Sequence, residues 1–187
     1  MPRTARRPLD PGLYHLTARG NRREPLFLTD RDRVVFLQEL SRAAAPETFL
    51  VRGYCLMSTH YHLLIDASTG ELSDPMRDLN GIYAKWFNRE HCFRGNLFEG
   101  RFHSTRIEGD WHLFELLRYL ALNPVRAGLC DMAPSWRWGS FAAVMGQVPR
   151  PRFLDTAWTL RLFSSDDADA RRQLSDLVSH TTEDATS

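Results

Sequence analysis

Two histidines one residue apart, His60 and His62, stand inside the run Leu56-Met57-Ser58-Thr59-His60-Tyr61-His62-Leu63-Leu64-Ile65-Asp66. The apolar flanks predict a β-strand, and alternation along a strand sends His60 and His62 to one side and Tyr61 to the other. The two rings are then roughly 7 Å apart at the backbone, within reach of one divalent cation bound at about 2.1 Å. A bare His-x-His is open to a second reading, in which one ring is a satisfied core histidine and the other its neighbour. A further ligand would decide between them, and Asp66 and His103 are the residues of suitable type for a zinc or manganese hydrolase. A second stretch with chemical content is His91–Arg106, where Phe93, Phe98, Phe102 and His103 interleave with Arg94, Arg101 and Arg106. Rings alternating with guanidinium groups suit base stacking and phosphate contacts, and an aromatic loop packed on its own core has the same composition.

The elements that position these residues follow from periodicity. Leu13–Arg19 alternates as a first strand and stops at Gly20-Asn21. Thr29 or Asp30 caps a helix carrying Val34, Val35, Leu37, Leu40 and Ala44 on one side, ended by Pro46. Phe49–Met57 is a second strand, turned by Ser58-Thr59 into the histidine strand. After a loop at 68–70, Ser73 caps a helix with Met76, Leu79, Ile82, Tyr83, Trp86 and Phe87 as its apolar stripe. Residues 101–108 are expected as a fourth strand. The order β-α-β-β-α-β is the ferredoxin-like pattern, α+β with an antiparallel sheet and helices on one face. A further helix, capped by Asp110 and closed near Pro124, buries Leu113, Leu116, Leu117, Leu120 and Ala121. His112, Glu115, Tyr119 and Asn123 share its adjoining stripe, where a tyrosine reads first as a packing residue with a wet hydroxyl. Pro134–Phe141 is expected as an aromatic cap over the fold.

The chain has 187 residues, 43% hydrophobic and 25% charged, enough for one well-cored domain and an extension. No signal-peptide pattern or 18-residue apolar run is present, which points to the cytoplasm and away from a membrane. Cys55, Cys92 and Cys130 have no C-x-x-C spacing and are expected as free thiols. Net charge is only +1, but residues 164–187 hold six acidic side chains against Arg171 and Arg172, leaving +5 for the rest. That basic charge is arginine apart from Lys85, and the arginine fork suits phosphate. The expected organisation is a basic arm at 1–12, one domain at 13–148, and a linker, short helix and mobile acidic tail at 149–187.

Together, Met57–Leu64, Trp86-Phe87-Asn88-Arg89, Gly95–Phe102 and Tyr119–Leu129 give a pattern that resembles the tyrosine HUH transposases of the insertion-sequence-200-like class, most closely the REP-associated tyrosine transposases. The resemblance runs over residues 13–141 and departs at Ser58-Thr59, where family members often carry Pro-Asn. It implies metal ligation by His60 and His62, completed by Asn123 and serving Mg²⁺ or Mn²⁺, with Tyr119 as nucleophile. It also implies single-stranded or hairpin DNA as substrate, cleaved and rejoined through a 5′-phosphotyrosine, by a monomer or homodimer. Arg94, Arg101 and Arg106 are the expected DNA contacts. Tyr83 is the alternative tyrosine, but its helical neighbours Leu79, Trp86 and Phe87 are apolar and place it in the core. A non-catalytic ferredoxin-like nucleic-acid-binding module is the rival function, and it needs no metal.

Overall fold

Four strands form the sheet: β1 (Gly12–Arg19), β2 (Leu50–Leu56), β3 (His60–Ala67) and β4 (His103–Arg106). The computed structural model describes residues 10–67 and 72–179. The strands lie in the order β2-β3-β1-β4, with β3 antiparallel to both β1 and β2 and β4 antiparallel to β1. With α1 (Asp30–Ala44) between β1 and β2 and α2 (Ser73–Glu90) between β3 and β4, this is the expected ferredoxin-like α+β arrangement. The loop at 68–70, the arm over residues 1–9 and the last residues from 180 lie outside the described residues.

One face of the sheet makes the main core. Tyr14, Leu16 and Ala18 of β1, Tyr54 and Leu56 of β2, and Tyr61, Leu63 and Ile65 of β3 pack there with Phe36, Leu40, Met76, Leu79, Tyr83 and Phe87 of the two helices. Tyr61 satisfies its hydroxyl by donating to Asn80 Oδ1 of α2 at 2.9 Å. Thr29 caps α1 in a reciprocal box: Asp32 N–H donates to Thr29 Oγ1, and the Asp32 carboxylate receives Leu28 and Thr29 N–H at 2.6 and 2.8 Å. The buried stripe of α1 runs through Phe36 and Leu40 while Val34 is exposed, a rotation from the expected side because the large Phe36 ring meets Tyr61 at 4.8 Å. Ile82 of α2 likewise faces outward.

Three boundaries differ from expectation. Ser73 is the first helical residue of α2, and the cap position falls on Leu72 without a side-chain bond. β4 is shorter than 101–108, spanning only His103–Arg106. The next helix, α3 (Gly109–Arg126), has Glu108 rather than Asp110 in the cap position and continues through Pro124. Pro124 has no N–H to give the Leu120 carbonyl, and the helix runs only two residues beyond it. Ala127 N–H still reaches the Asn123 carbonyl, and Gly128, at φ +67, closes the helix in the left-handed conformation that glycine takes without strain.

α3 covers the opposite face of the sheet. Leu113, Leu116, Leu117 and Leu120 pack on Cys55, Met57 and Leu64. The approach is close because β2 presents Gly53: a β-carbon there would lie 3.3 Å from Leu120 Cδ1. The aromatic cap is present, with Leu56 N–H donating to the Trp138 carbonyl at 2.9 Å and Trp136 Nε1–H to the Leu56 carbonyl at 3.2 Å.

The segment expected to begin the mobile acidic tail is corrected by the structure over residues 167–179, while 180–187 lie outside the described residues. After α4 (Phe141–Val144) and α5 (Thr156–Arg161), residues Asp167–Ser179 form α6. Ala170, Leu174 and Val178, spaced at four, pack against Ala121, Ala133, Val144 and Leu160. The acidic groups occupy its outer side. Arg52 joins this layer to the sheet: it pairs with Asp66 at 2.7 Å and with Asp155, and its guanidinium lies 4.8 Å from the Trp158 ring centroid. No helix among the described residues is long and apolar enough to cross a membrane.

Candidate active site

The face of β3 that looks toward α3 carries His60, His62 and Leu64. In register across β1 stand Arg19, Thr17 and His15, and across β2 Cys55 faces His62. The hairpin turn before His60 is held entirely by backbone. Leu26 N–H donates to the Ser58 carbonyl at 2.9 Å, and Gly20 N–H to the Thr59 carbonyl at 2.8 Å. Gly20 must be glycine for steric reasons, since a β-carbon would sit 2.0 Å from the Glu24 carbonyl oxygen. Ser58-Thr59 thus forms a fixed turn, and its threonine has a further use: Thr59 Oγ1 lies 3.0 Å from His60 Nδ1.

The two imidazoles meet as alternation requires, with centroids 4.8 Å apart and planes at 89°. His60 is half-buried and opens to solvent, whereas His62 is only 5% exposed and has a partner at each nitrogen. Its Nδ1 lies 3.0 Å from His15 Nε2, and its Nε2 lies 3.3 Å from the Tyr119 hydroxyl. Tyr119 reaches it from α3, ring edge toward ring face, with centroids 5.1 Å apart. Burial lowers the affinity of these rings for protons: His62 falls to about 2, helped by His60, His15 and Arg19, and His15 to about 4, helped by His112 and His103. His60 is lowered too, by burial and then by Arg19. All three rings are therefore neutral near pH 7, the form that can ligate a metal.

One turn beyond Tyr119, the Asn123 amide nitrogen is inaccessible to solvent and has no hydrogen-bond partner among the described residues. An unsatisfied buried N–H donor is costly, and it calls for an acceptor such as a phosphate oxygen; a cation would be ligated by the carbonyl oxygen of the same amide. Among the described residues, no three His, Cys, Asp or Glu side chains converge on a point that a metal could occupy. Asp66, the alternative third ligand, is engaged by Arg52, and His103 stands exposed at the cleft wall beside Thr105. His60 and His62 are two neutral imidazoles side by side at an open cleft, donors that a Mn²⁺ or Mg²⁺ could accept together with oxygen ligands.

His60 and His62 form one wall of an open cleft of about 330 Å³, whose other sides include Arg19, Glu99, Arg101 and His103. Of the three arginines expected to contact DNA, only Arg101 lines this cleft. Arg106 lies against Gly12 and donates from Nη2 to the Pro11 carbonyl at 3.2 Å. Arg94 is exposed in the loop between α2 and β4. Tyr83 is excluded from the site: it lies in the core on the opposite face, and its hydroxyl donates to the Leu26 carbonyl at 2.6 Å. His15, Arg19 and Glu99 are site residues that the sequence did not single out. Alternation in Leu13–Arg19 puts His15, Thr17 and Arg19 on one face, but only the β1–β3 register turns that face toward His62.

The site is thus a histidine pair on one face of a ferredoxin-like sheet, with a helix-borne tyrosine on the same face. Residues 11–122 match the sequence model of the family "Transposase IS200 like", and the chain belongs to that family. Among solved structures, the chain is similar to a REP-associated tyrosine transposase whose structure is bound to a REP hairpin, with a TM-score of 0.63 and 17% identity over 83% of this chain and 92% of that one. At that identity the likeness speaks for the fold. No curated protein matches the chain.

Proposed function

We propose that this chain cleaves and rejoins single-stranded, hairpin-associated DNA, with Tyr119 as nucleophile. The observation that carries the reading is the 3.3 Å contact between the Tyr119 hydroxyl and His62 Nε2, which joins two residues 57 apart in sequence and on different elements. A core tyrosine has no need of that partner; a nucleophile must stand beside the groups that bind the phosphate. Family membership and the hairpin-bound structural relative support a DNA substrate.

In this reading His60, His62 and Asn123 hold a divalent cation, Mg²⁺ or Mn²⁺, which when bound withdraws charge from the scissile phosphate. Arg19 and Arg101 line the cleft and bind the neighbouring phosphates. Tyr119 loses its proton to water in the open cleft and its oxygen attacks phosphorus. The P–O bond to the 3′ oxygen breaks, that oxygen takes up a proton, and a 5′-phosphotyrosine remains. Because the ester energy is kept, an incoming 3′-OH can reverse the step and join a new strand without a nucleotide cofactor.

The test is incubation with a single-stranded hairpin oligonucleotide and Mn²⁺, followed by a denaturing gel. A protein–DNA adduct is expected that EDTA, His60→Ala and His62→Ala each abolish. Hairpin binding with no adduct under any metal condition would leave only the non-catalytic binding module.

A further inference from the structure

His15 sits on β1 opposite Leu64, one diagonal step from His62, and diagonal neighbours on a sheet face are within side-chain reach. The His15–His62 ring centroids are 5.1 Å apart at 29° between planes, with Nε2 of one 3.0 Å from Nδ1 of the other. A neutral imidazole carries one N–H and one lone pair, so this contact fixes both rings at once. If His62 Nδ1 donates, its Nε2 keeps a lone pair. If Nδ1 accepts, Nε2 carries the proton and can ligate nothing. The first arrangement matches the rest of the site: the Tyr119 O–H meets Nε2 at 3.3 Å and has a lone pair to donate to, and on His60 it is again Nδ1 that is engaged, by Thr59.

We propose that His15 is a positioning residue: it accepts the His62 Nδ1–H and so holds Nε2 as the lone-pair nitrogen that faces the cation and Tyr119. The proposal rests on the reading of His62 as a metal ligand. Partners that receive the second N–H of a ligating histidine set its orientation and basicity, and losing one weakens metal binding about 10–100-fold. A leucine at position 15 would fill the volume and accept nothing. A glutamine carries a carbonyl oxygen at about the reach of Nε2 and can take the same proton.

The measurement is Mn²⁺ affinity of the full chain without DNA, by calorimetry or the electron-paramagnetic signal of free Mn²⁺, for wild type, His15→Leu, His15→Gln and His62→Ala. Loss of about tenfold or more in His15→Leu, with most of it restored in His15→Gln, is the expected result. Equal loss in the leucine and glutamine variants, or none in the leucine variant while His62→Ala binds poorly, overturns the role of His15 and leaves the metal reading standing. If His62→Ala binds Mn²⁺ as well as wild type, the metal reading itself falls and this proposal with it. Should His15→Leu not fold, ¹⁵N imidazole spectra of the wild-type protein decide: His62 protonated at Nδ1 supports the proposal, and protonation at Nε2 refutes it.

Discussion

Tyr119 and Tyr83 make a crossed pair, and phenylalanine at each position should give opposite phenotypes. At Tyr119 the change removes one oxygen from a half-buried ring whose hydroxyl contact, 3.3 Å to His62, is at the long end of hydrogen bonding. A net hydrogen bond is worth about 1 kcal/mol and a long one less, so for a chain of this size the melting temperature should move by no more than about 4 °C. At Tyr83 the hydroxyl is buried and bonded to the Leu26 carbonyl at 2.6 Å. Its removal leaves a buried acceptor unsatisfied, at about 1–3 kcal/mol, or several degrees. Catalysis should divide the other way. Tyr119→Phe should bind hairpin DNA with wild-type affinity and form no adduct on a denaturing gel, while Tyr83→Phe should form it normally at temperatures where it is folded. An adduct in the Tyr119 variant, or its loss in a folded Tyr83 variant, refutes the assignment of the nucleophile.

Gly20→Ala brings a β-carbon to 2.0 Å from the Glu24 carbonyl oxygen and should cost about 1–3 kcal/mol in urea unfolding, with adduct formation falling as the Thr59 turn shifts; a loss under about 0.5 kcal/mol would show that the turn yields freely. Arg52→Leu removes the cation shared by Asp66 and Asp155 and should destabilise by about 3 kcal/mol, below the full cost of a buried orphan charge because both carboxylates keep some solvent; a change under 1 kcal/mol would refute the importance of the pair. Stability of the metal-free protein should be nearly flat above pH 7 and fall as pH drops from about 6.5 toward 4. In that window the unfolded chain protonates His15 and His62, whose folded values are lowered to about 4 and about 2, so the slope reaches at most about 2.7 kcal/mol per pH unit for the pair. His62→Ala should roughly halve that slope, and equal stability at pH 5 and 7 would refute the burial argument.

Local patterns carried most of the fold. Strands β1 to β3 and helices α1 to α3 follow from apolar spacing, and Thr29 and Gly128 mark ends by chemistry that a reader of the sequence can recognise. The misses have physical causes. Val34 and Phe36 are both apolar, and only the facing Tyr61 decides which is buried. α6 was hidden because Ala170, Leu174 and Val178 form a narrow stripe among charged residues, too thin to announce a buried face without the groove that receives it. The histidine pair was legible from alternation alone, since neighbours on a strand face are local. His15 was not: its meaning lies in strand register, which depends on the pairing of distant segments. The place of Arg106 outside the cleft has a related cause, since its guanidinium meets Pro11 across a strand pair whose order the sequence does not display.

The contacts that complete the site are all long in sequence. His62 bonds to partners 47 residues before it and 57 after it. Closing loops of that length costs entropy that is recovered only when strand pairing and helix docking are in place. A chain emerging during synthesis therefore carries both histidines long before it carries a tyrosine to set beside them. The proposed cleavage therefore requires a docked α3, and cleavage activity should vanish in denaturant together with the burial of that helix.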